Sequence, residues 1–372
     1  MRRRHGLGFP AVGAVGDGVA KRLAFHQDAH PGQIPHPGHR ERRHPEATVL
    51  NRAHQALLGQ PVKGFAQGAA ADGKTLAERF DAQPGVGFEL APHDGLAQGA
   101  VGPFGQWRFF IGSGLGHATL ADFIGSPDYQ RRDALVQGLA ADLPLAGLHF
   151  LPVIPRAEKI VCAVRNYLDH HQEVIAAGMQ RELSELPPIF LRVWRSQVGR
   201  EQPVIFPRVS NTLDWEGELA VIIGKPGRDI PAEQAYGHVA GYSIYNDVSV
   251  REWQFHAKQI ASGKNFEGTG PFGPWMVSAD EIAPGRELKL VTRLNGETVQ
   301  NSHTGHMIFS IPRLIAYAST IFTLVPGDVI ATGTPAGVGW SRKPQRFMKP
   351  GDVVEVEIEG IGTLRNPVLA QA

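Results

Sequence analysis

Residues 213–225 read LDWEGELAVIIGK, with Asp214, Glu216 and Glu218 at every second position before a run of five apolar residues. A period of two is that of a β-strand, whose successive side chains point to opposite faces. Glu216 and Glu218 then share one face, and Trp215, Leu219 and Val221 share the other. Gly217 between the acids leaves room for close backbone approach. Elsewhere a short strand is predicted at 159–164. VTRLNGETVQ reads as a hairpin in which Asn295 and Gly296 supply the positive φ angles of a tight turn. VPGDVIATGT and KPGDVVEVEIEG each begin a strand after a Pro-Gly turn. Apolar residues recur at helical spacing in TLADFIGSPDYQRRDALVQGLAADL (with a turn at 125–127), REWQFHAKQIAS and SIPRLIAYASTIF. No repeat of solenoid length is present. The pattern predicts a mainly β, α+β body over residues 155–369.

Composition divides the chain near residue 112. Before it there is no Ser, Tyr or Cys, and Ile occurs only at Ile34 and Ile111. Residues 1–112 are expected to form a poorly ordered, low-complexity extension, because little apolar surface is available to offset ordering entropy. Its many histidines and arginines leave a basic or metal-binding arm as the alternative. The 372 residues suffice for one large or two ordinary domains, and the net charge of +1 favours neither nucleic acid nor acidic partners. No run approaches the roughly 18 apolar residues needed to cross a bilayer. The single cysteine, Cys162, excludes an internal disulfide and fits a reducing compartment. The N-terminus makes a poor signal or transit peptide, so a cytoplasmic location is expected.

Within this body five stretches carry candidate chemistry. Two carboxylates side by side on a strand repel, and a hard divalent cation would relieve the repulsion. A solvated strand edge would tolerate the same pattern. Asp214 has the same parity, and shaping the turn before the strand is a sufficient role for it. In GYSIYNDVSVREWQ, Asp247 stands where a strand gives way to a helix, a position that an ordinary N-cap also fills. In RNYLDHHQE, His170 and Glu173 lie three apart and face the same way on a helical turn, as a general-base pair requires. A surface His-Glu pair has the same spacing. Lys264 sits in a Gly- and Pro-rich loop, and Thr332 and Thr334 sit in ATGTPAGVG; such loops offer backbone N–H groups to an anion. The second lacks the ending of a P-loop, so a carboxylate is the better ligand than a nucleotide phosphate.

Taken in order, RNYLDHHQE, PPIFLR, DWEGELAVIIGK, GYSIYNDVSVREWQ, GKNFEGTGPFGPW and LVPGDVIATGTPAGVG resemble the fumarylacetoacetate hydrolase family over residues 156–369. The resemblance implies a mixed β-roll, sandwich-like catalytic domain over 156–372, with 113–155 as a linker or the remnant of a small N-terminal domain. It also implies a homodimer and an Mg²⁺ (or Mn²⁺) site. By the same resemblance Glu216, Glu218 and Asp247 would be the metal ligands, and His170 with Glu173 the water-activating pair. Lys264 would be the substrate-binding lysine, Thr334 the contact to the substrate carboxylate, and Arg251 and Gln254 pocket residues. Val164 stands where the family has glycine, and Arg192 where it has lysine. The expected substrate is a small 2-oxo acid, with no nucleic acid or membrane partner. The expected reaction is C–C hydrolysis of a 2,4-dioxo acid such as an acylpyruvate or fumarylpyruvate, releasing pyruvate and a carboxylic acid. Oxaloacetate decarboxylation, isomerisation or decarboxylation of a 2-hydroxy-diene-dioate, and a non-catalytic metal-binding homologue are the alternatives.

Overall fold

The computed structural model describes residues 100–101, 107–108, 117–136, 148–178 and 182–372. Apart from two-residue strands at Ala100–Val101 and Trp107–Arg108, the expected extension over 1–112 lies outside the described residues. Eleven longer strands organise the rest: β1 (Ile160–Ala163), β2 (Ile189–Arg192), β3 (Val204–Phe206), β4 (Gly217–Ile223), β5 (Val239–Asn246), β6 (Gly270–Ser278), β7 (Lys289–Leu294), β8 (Glu297–His303), β9 (Val329–Ala331), β10 (Val353–Ile358) and β11 (Gly362–Ala370). Two longer helices, α1 (Leu168–Ala176) and α2 (Ile311–Ile321), complete the frame.

The main sheet runs β6–β5–β4–β9–β1–β2, antiparallel except for the parallel pair β9–β1. Ala100–Val101 joins its β6 edge in parallel. A second sheet runs β8–β7–β10–β11–β3. The two pack face to face. Leu219, Val221 and Ile223 of β4 meet Leu290, Val356 and Leu364 of the second sheet and Leu314, Ile315 and Ala318 of α2 in one core. This is the mixed, sandwich-like β architecture expected from the sequence.

β4 departs from the one-sided strand its alternation suggests. Its other face, Ala220 and Ile222, packs with Cys162, Tyr245 and Met276 beneath Leu120, Phe123, Ile124, Val153 and Ile154. A strand covered on both faces reads as a continuous apolar run, which explains the five residues after Glu218. Residues 117–136 therefore form a lid on the sheet. Its first helix, Leu120–Ile124, starts with a capping box in which Thr119 Oγ1 accepts the Asp122 N–H and the Asp122 carboxylate accepts the Thr119 N–H.

The hairpin turn forms as its sequence requires: Asn295 and Gly296 take φ values of 53° and 81° between β7 and β8. REWQFHAKQIAS does not form one helix. Only Arg251–Gln254 is α-helical, and after an exposed stretch the chain resumes as a 3₁₀ turn at Ile260–Gly263. A Cβ on Gly263 would lie 2.4 Å from the backbone nitrogen of Gln254. A straight helix would hold these residues about 13 Å apart, so tertiary packing folds the segment back on itself.

Candidate active site

The β4–β5 register builds the acidic cluster. Gly217 pairs with Asn246 and Glu218 with Tyr245, so the chain leaving β5 passes beside Glu216. The Asp247 N–H donates to Glu216 O at 2.9 Å, and the Asn246 side chain accepts the Glu216 N–H at 2.9 Å. Oxygens of Glu216, Glu218 and Asp247 consequently lie within 4.8 Å of one another, all three residues being buried. Neither bland reading fits: the glutamates are not on a solvated edge, and the helix after Asp247 has Val250, not Asp247, at its N-cap.

Three buried cations surround these acids. Lys264 Nζ bridges Glu216 Oε2 at 2.7 Å and Asp247 Oδ2 at 2.6 Å. Arg251 holds Glu216 Oε1 at 2.6 Å, Asp214 Oδ2 at 2.7 Å and the Gln254 side-chain oxygen at 2.9 Å. Arg192 reaches Asp247 Oδ1 at 2.5 Å, Thr269 Oγ1 at 3.0 Å and Val248 O at 3.2 Å, with its guanidinium 5.7 Å from the Tyr245 ring centroid. Burial pushes the Glu216 carboxyl up, but Lys264 and Arg251 outweigh it and hold the group at about 2. Glu218 has no such cation. Burial first, then the charges of Asp247 and Glu216, push its carboxyl well above the usual range.

The donor set is all oxygen and buried, and Glu218 is the acid of the three that no arginine or lysine among the described residues contacts. The Lys264 ammonium already bridges two of the three candidate ligands as a cation would. Each carboxylate oxygen has a further lone pair. The residues present therefore fit a hard divalent ion.

His170 and Glu173, on the first turns of α1, do come together: His170 Nδ1 lies 3.1 Å from Glu173 Oε2, and Glu173 Oε1 accepts the Gly337 N–H at 2.9 Å. His170 lines the same cleft as the acidic cluster, whereas His171 lines a separate pocket with Arg165 and Glu182. Although burial opposes it, hydrogen bonds from His170, Ser341 and Gly337 lower the Glu173 pKa. Arg251, Gln254, Lys264 and Thr334 line this cleft too, which has about 790 Å³ of open volume. The Thr334 hydroxyl donates to Gly217 O at 3.0 Å and accepts from Gln300 Nε2 at 2.8 Å, so it is already engaged. Thr332 is turned inward, its hydroxyl donating to Leu219 O at 3.0 Å.

The glycine loop at 333–340 does bind carboxylates, but they are the protein's own. Gly333 N–H donates to Glu218 Oε2 at 2.9 Å, Gly337 N–H to Glu173, and Gly339 and Trp340 N–H to Asp214 at 2.7 and 2.9 Å. Gly333 has φ of 93°, and a Cβ there would lie 2.7 Å from the Asn166 Cβ. Asp214 is thus more than a turn former. It is buried and gathers Arg251 and three backbone N–H groups, the third from Trp215 at 2.8 Å. Its place in the DWEGE alternation was the available signal. Arg192, noticeable in the sequence only as a substitution, turns out to be the partner of Asp247. Val164 lines the cleft, and a φ of 50° falls on its neighbour Arg165, so the left-handed residue stands one position along.

Residues 159–369 match the family model for the fumarylacetoacetate (FAA) hydrolase C-terminal domain. The chain belongs to this family. It is 43% identical over 238 residues to the mitochondrial oxaloacetate tautomerase FAHD2A of Homo sapiens, covering 63% of this chain and 74% of that one. Among solved family structures, a probable 2-hydroxyhepta-2,4-diene-1,7-dioate isomerase from Mycobacterium abscessus aligns with a TM-score of 0.59 at 31% identity, covering 68% of this chain and 89% of that one. A fumarylpyruvate hydrolase from Pseudomonas aeruginosa, in complex with Mn²⁺ and pyruvate, aligns with a TM-score of 0.52 at 30% identity, covering 58% and 91%. Family membership makes the chain an enzyme of the hydrolase, isomerase and tautomerase group, and its buried acidic triad suits a divalent metal. Among the described residues no helix is long and apolar enough to cross a membrane.

Proposed function

We propose that the chain hydrolyses the C–C bond of a 2,4-dioxo acid of the acylpyruvate or fumarylpyruvate type, with Mg²⁺ or Mn²⁺ held by Glu216, Glu218 and Asp247. The observation that carries this reading is the His170–Glu173 pair in the same cleft as the acidic cluster. The bound ion would supply positive charge for the carboxylate and keto oxygens of the substrate. Glu173 fixes the imidazole at Nδ1, which leaves Nε2 to take a proton from water. The water oxygen bonds to the acyl carbon, and the bond from that carbon to the methylene breaks. The electron pair goes to the methylene side as pyruvate enolate, near the Lys264 ammonium. The proton taken by His170 returns to the methylene carbon to give pyruvate, and the acyl fragment leaves as a carboxylic acid. Arg251 and Gln254 orient the substrate carboxylate, and Thr334 joins them if its hydroxyl turns from Gly217 O.

A second reading has its own support. Oxaloacetate tautomerisation moves one proton between the enol oxygen and carbon 3, and the 43% identical human relative bears that name. Both are tested by incubating the Mg²⁺-loaded protein with acetylpyruvate, benzoylpyruvate and oxaloacetate. Enzymatic pyruvate release from the acylpyruvates is expected. Accelerated enol-to-keto conversion of oxaloacetate with no acylpyruvate cleavage would replace hydrolysis by tautomerisation. A homodimer belongs to the same proposal. Leu191, Val193 and Trp194, exposed at and just beyond the β2 edge, supply apolar surface for such a contact. Light scattering that finds a monomer would refute it.

A further inference from the structure

The cleft has two chemically different poles. One is the charged cluster around Glu216, Asp247, Lys264 and His170. The other is apolar: Val174, Phe190, Phe255, Ile260, Val338 and Trp340 line it. Phe190 marks the seam, with Lys264 Nζ 5.4 Å from its ring centroid. Phe255 is 44% exposed, and its ring meets that of Trp340 at 5.5 Å between centroids. The pair belongs to none of the buried apolar clusters.

The charged pole provides for a 2-oxo acid head and its scissile bond. A four-carbon diacid offers the apolar part of this lining no hydrocarbon or aromatic surface to meet. We infer that the acyl group of the substrate is apolar, an aliphatic chain or an aryl ring, and that Phe255 and Trp340 select it. This rests on the hydrolytic reading above and adds the substrate class to it. Transfer of such a group from water onto the aromatic wall provides binding energy that a short acyl group lacks. Arg165 and Lys258 also line the cleft, so a second carboxylate on the acyl group is the competing specificity.

The test is a panel of acetyl-, hexanoyl-, benzoyl- and fumarylpyruvate with the Mg²⁺-loaded protein. We expect kcat/KM to rise about tenfold or more from acetyl- to hexanoyl- or benzoylpyruvate, with fumarylpyruvate below both. Phe255→Ala and Trp340→Ala should each pull the benzoyl-to-acetyl ratio toward one. Phe255 is the safer variant, since it is exposed and lies outside the buried apolar clusters. Calorimetry adds a readout without turnover: phenylpyruvate should bind more tightly than pyruvate, and Phe255→Ala should narrow the difference. A preference for fumarylpyruvate, or ratios unmoved by both variants, would overturn the inference. If no acylpyruvate is cleaved, the hydrolytic reading fails. The phenylpyruvate comparison then still judges the apolar wall, with equal binding of the two acids refuting it.

Discussion

Replacing Asp214 by Asn removes a charge while keeping the shape of a side chain that four donors surround. Burial pushes this carboxyl up, yet Arg251 Nε and the N–H groups of Trp215, Gly339 and Trp340 all converge on it, an arrangement that fits a carboxylate. In the variant one side-chain oxygen can still accept two of these bonds, while the amide nitrogen confronts the other two donors. Breaking a buried ion pair by removing one partner costs about 3–5 kcal/mol. Arg251 keeps Glu216 at 2.6 Å, which places the expected loss at the lower end, about 3 kcal/mol. For a body of this size that corresponds to a fall in Tm of roughly 6–12 °C. Urea titration and thermal unfolding by circular dichroism would measure it. Asp229→Asn serves as the control: its contact with Arg228 is 3.8 Å and exposed, so a change under about 0.5 kcal/mol is expected. A loss below about 1 kcal/mol for Asp214→Asn would mean that Asp214 does not anchor Arg251 and the glycine loop.

Four further outcomes are expected. Glu218→Gln should weaken Mn²⁺ binding, measured by calorimetry, on the order of a hundredfold or more, since even groups behind the ligands give ten- to hundredfold effects; unchanged affinity would remove Glu218 from the ligand set. His170→Ala should lower kcat for acylpyruvate cleavage by about 10²–10⁴, whereas a loss under fivefold would exclude it as the base. Glu173 has a lowered pKa in the fold, so it stabilises the protein fully above its unfolded value near 4.5, and that contribution is lost as pH falls through the folded value. Glu173→Gln should therefore flatten the acid limb of the stability–pH curve, and an unchanged limb would refute the clamp. Gly217→Ala should destabilise by about 1–3 kcal/mol in urea titration, because its Cβ would meet Thr292 Oγ1 at 2.4 Å and Val356 Cγ1 at 2.9 Å; a neutral result would show that β4 can shift.

Much of this fold is legible along the chain because local rules and tertiary structure agree there. The Asn295–Gly296 turn, the strands after Pro-Gly and helix α2 each follow from short-range chemistry. Glu216 and Glu218 likewise bring their carboxylates together as their spacing suggests, although the paired strand begins only at Gly217 and Trp215 packs in a different core from Leu219 and Val221. Distant partners leave no such trace. The neighbours of Asp247 depend on the β4–β5 register and on Arg192, which arrives from β2. Two of the four donors to Asp214 come from residues 339 and 340, more than a hundred positions away. The break in REWQFHAKQIAS is equally tertiary, since nothing in its apolar spacing announces that Gly263 must lie against Gln254.

One loop supplies backbone donors to Glu218, Glu173 and Asp214, and so ties together a proposed metal ligand, the partner of the proposed base and the anchor of the arginine proposed to hold the substrate. A displacement of its main chain by an ångström would be felt at all three stations at once. Damage between residues 333 and 340 should thus switch the enzyme off as a unit, with ion affinity, proton transfer and substrate grip failing together, whereas side-chain changes elsewhere in the cleft would impair them one at a time.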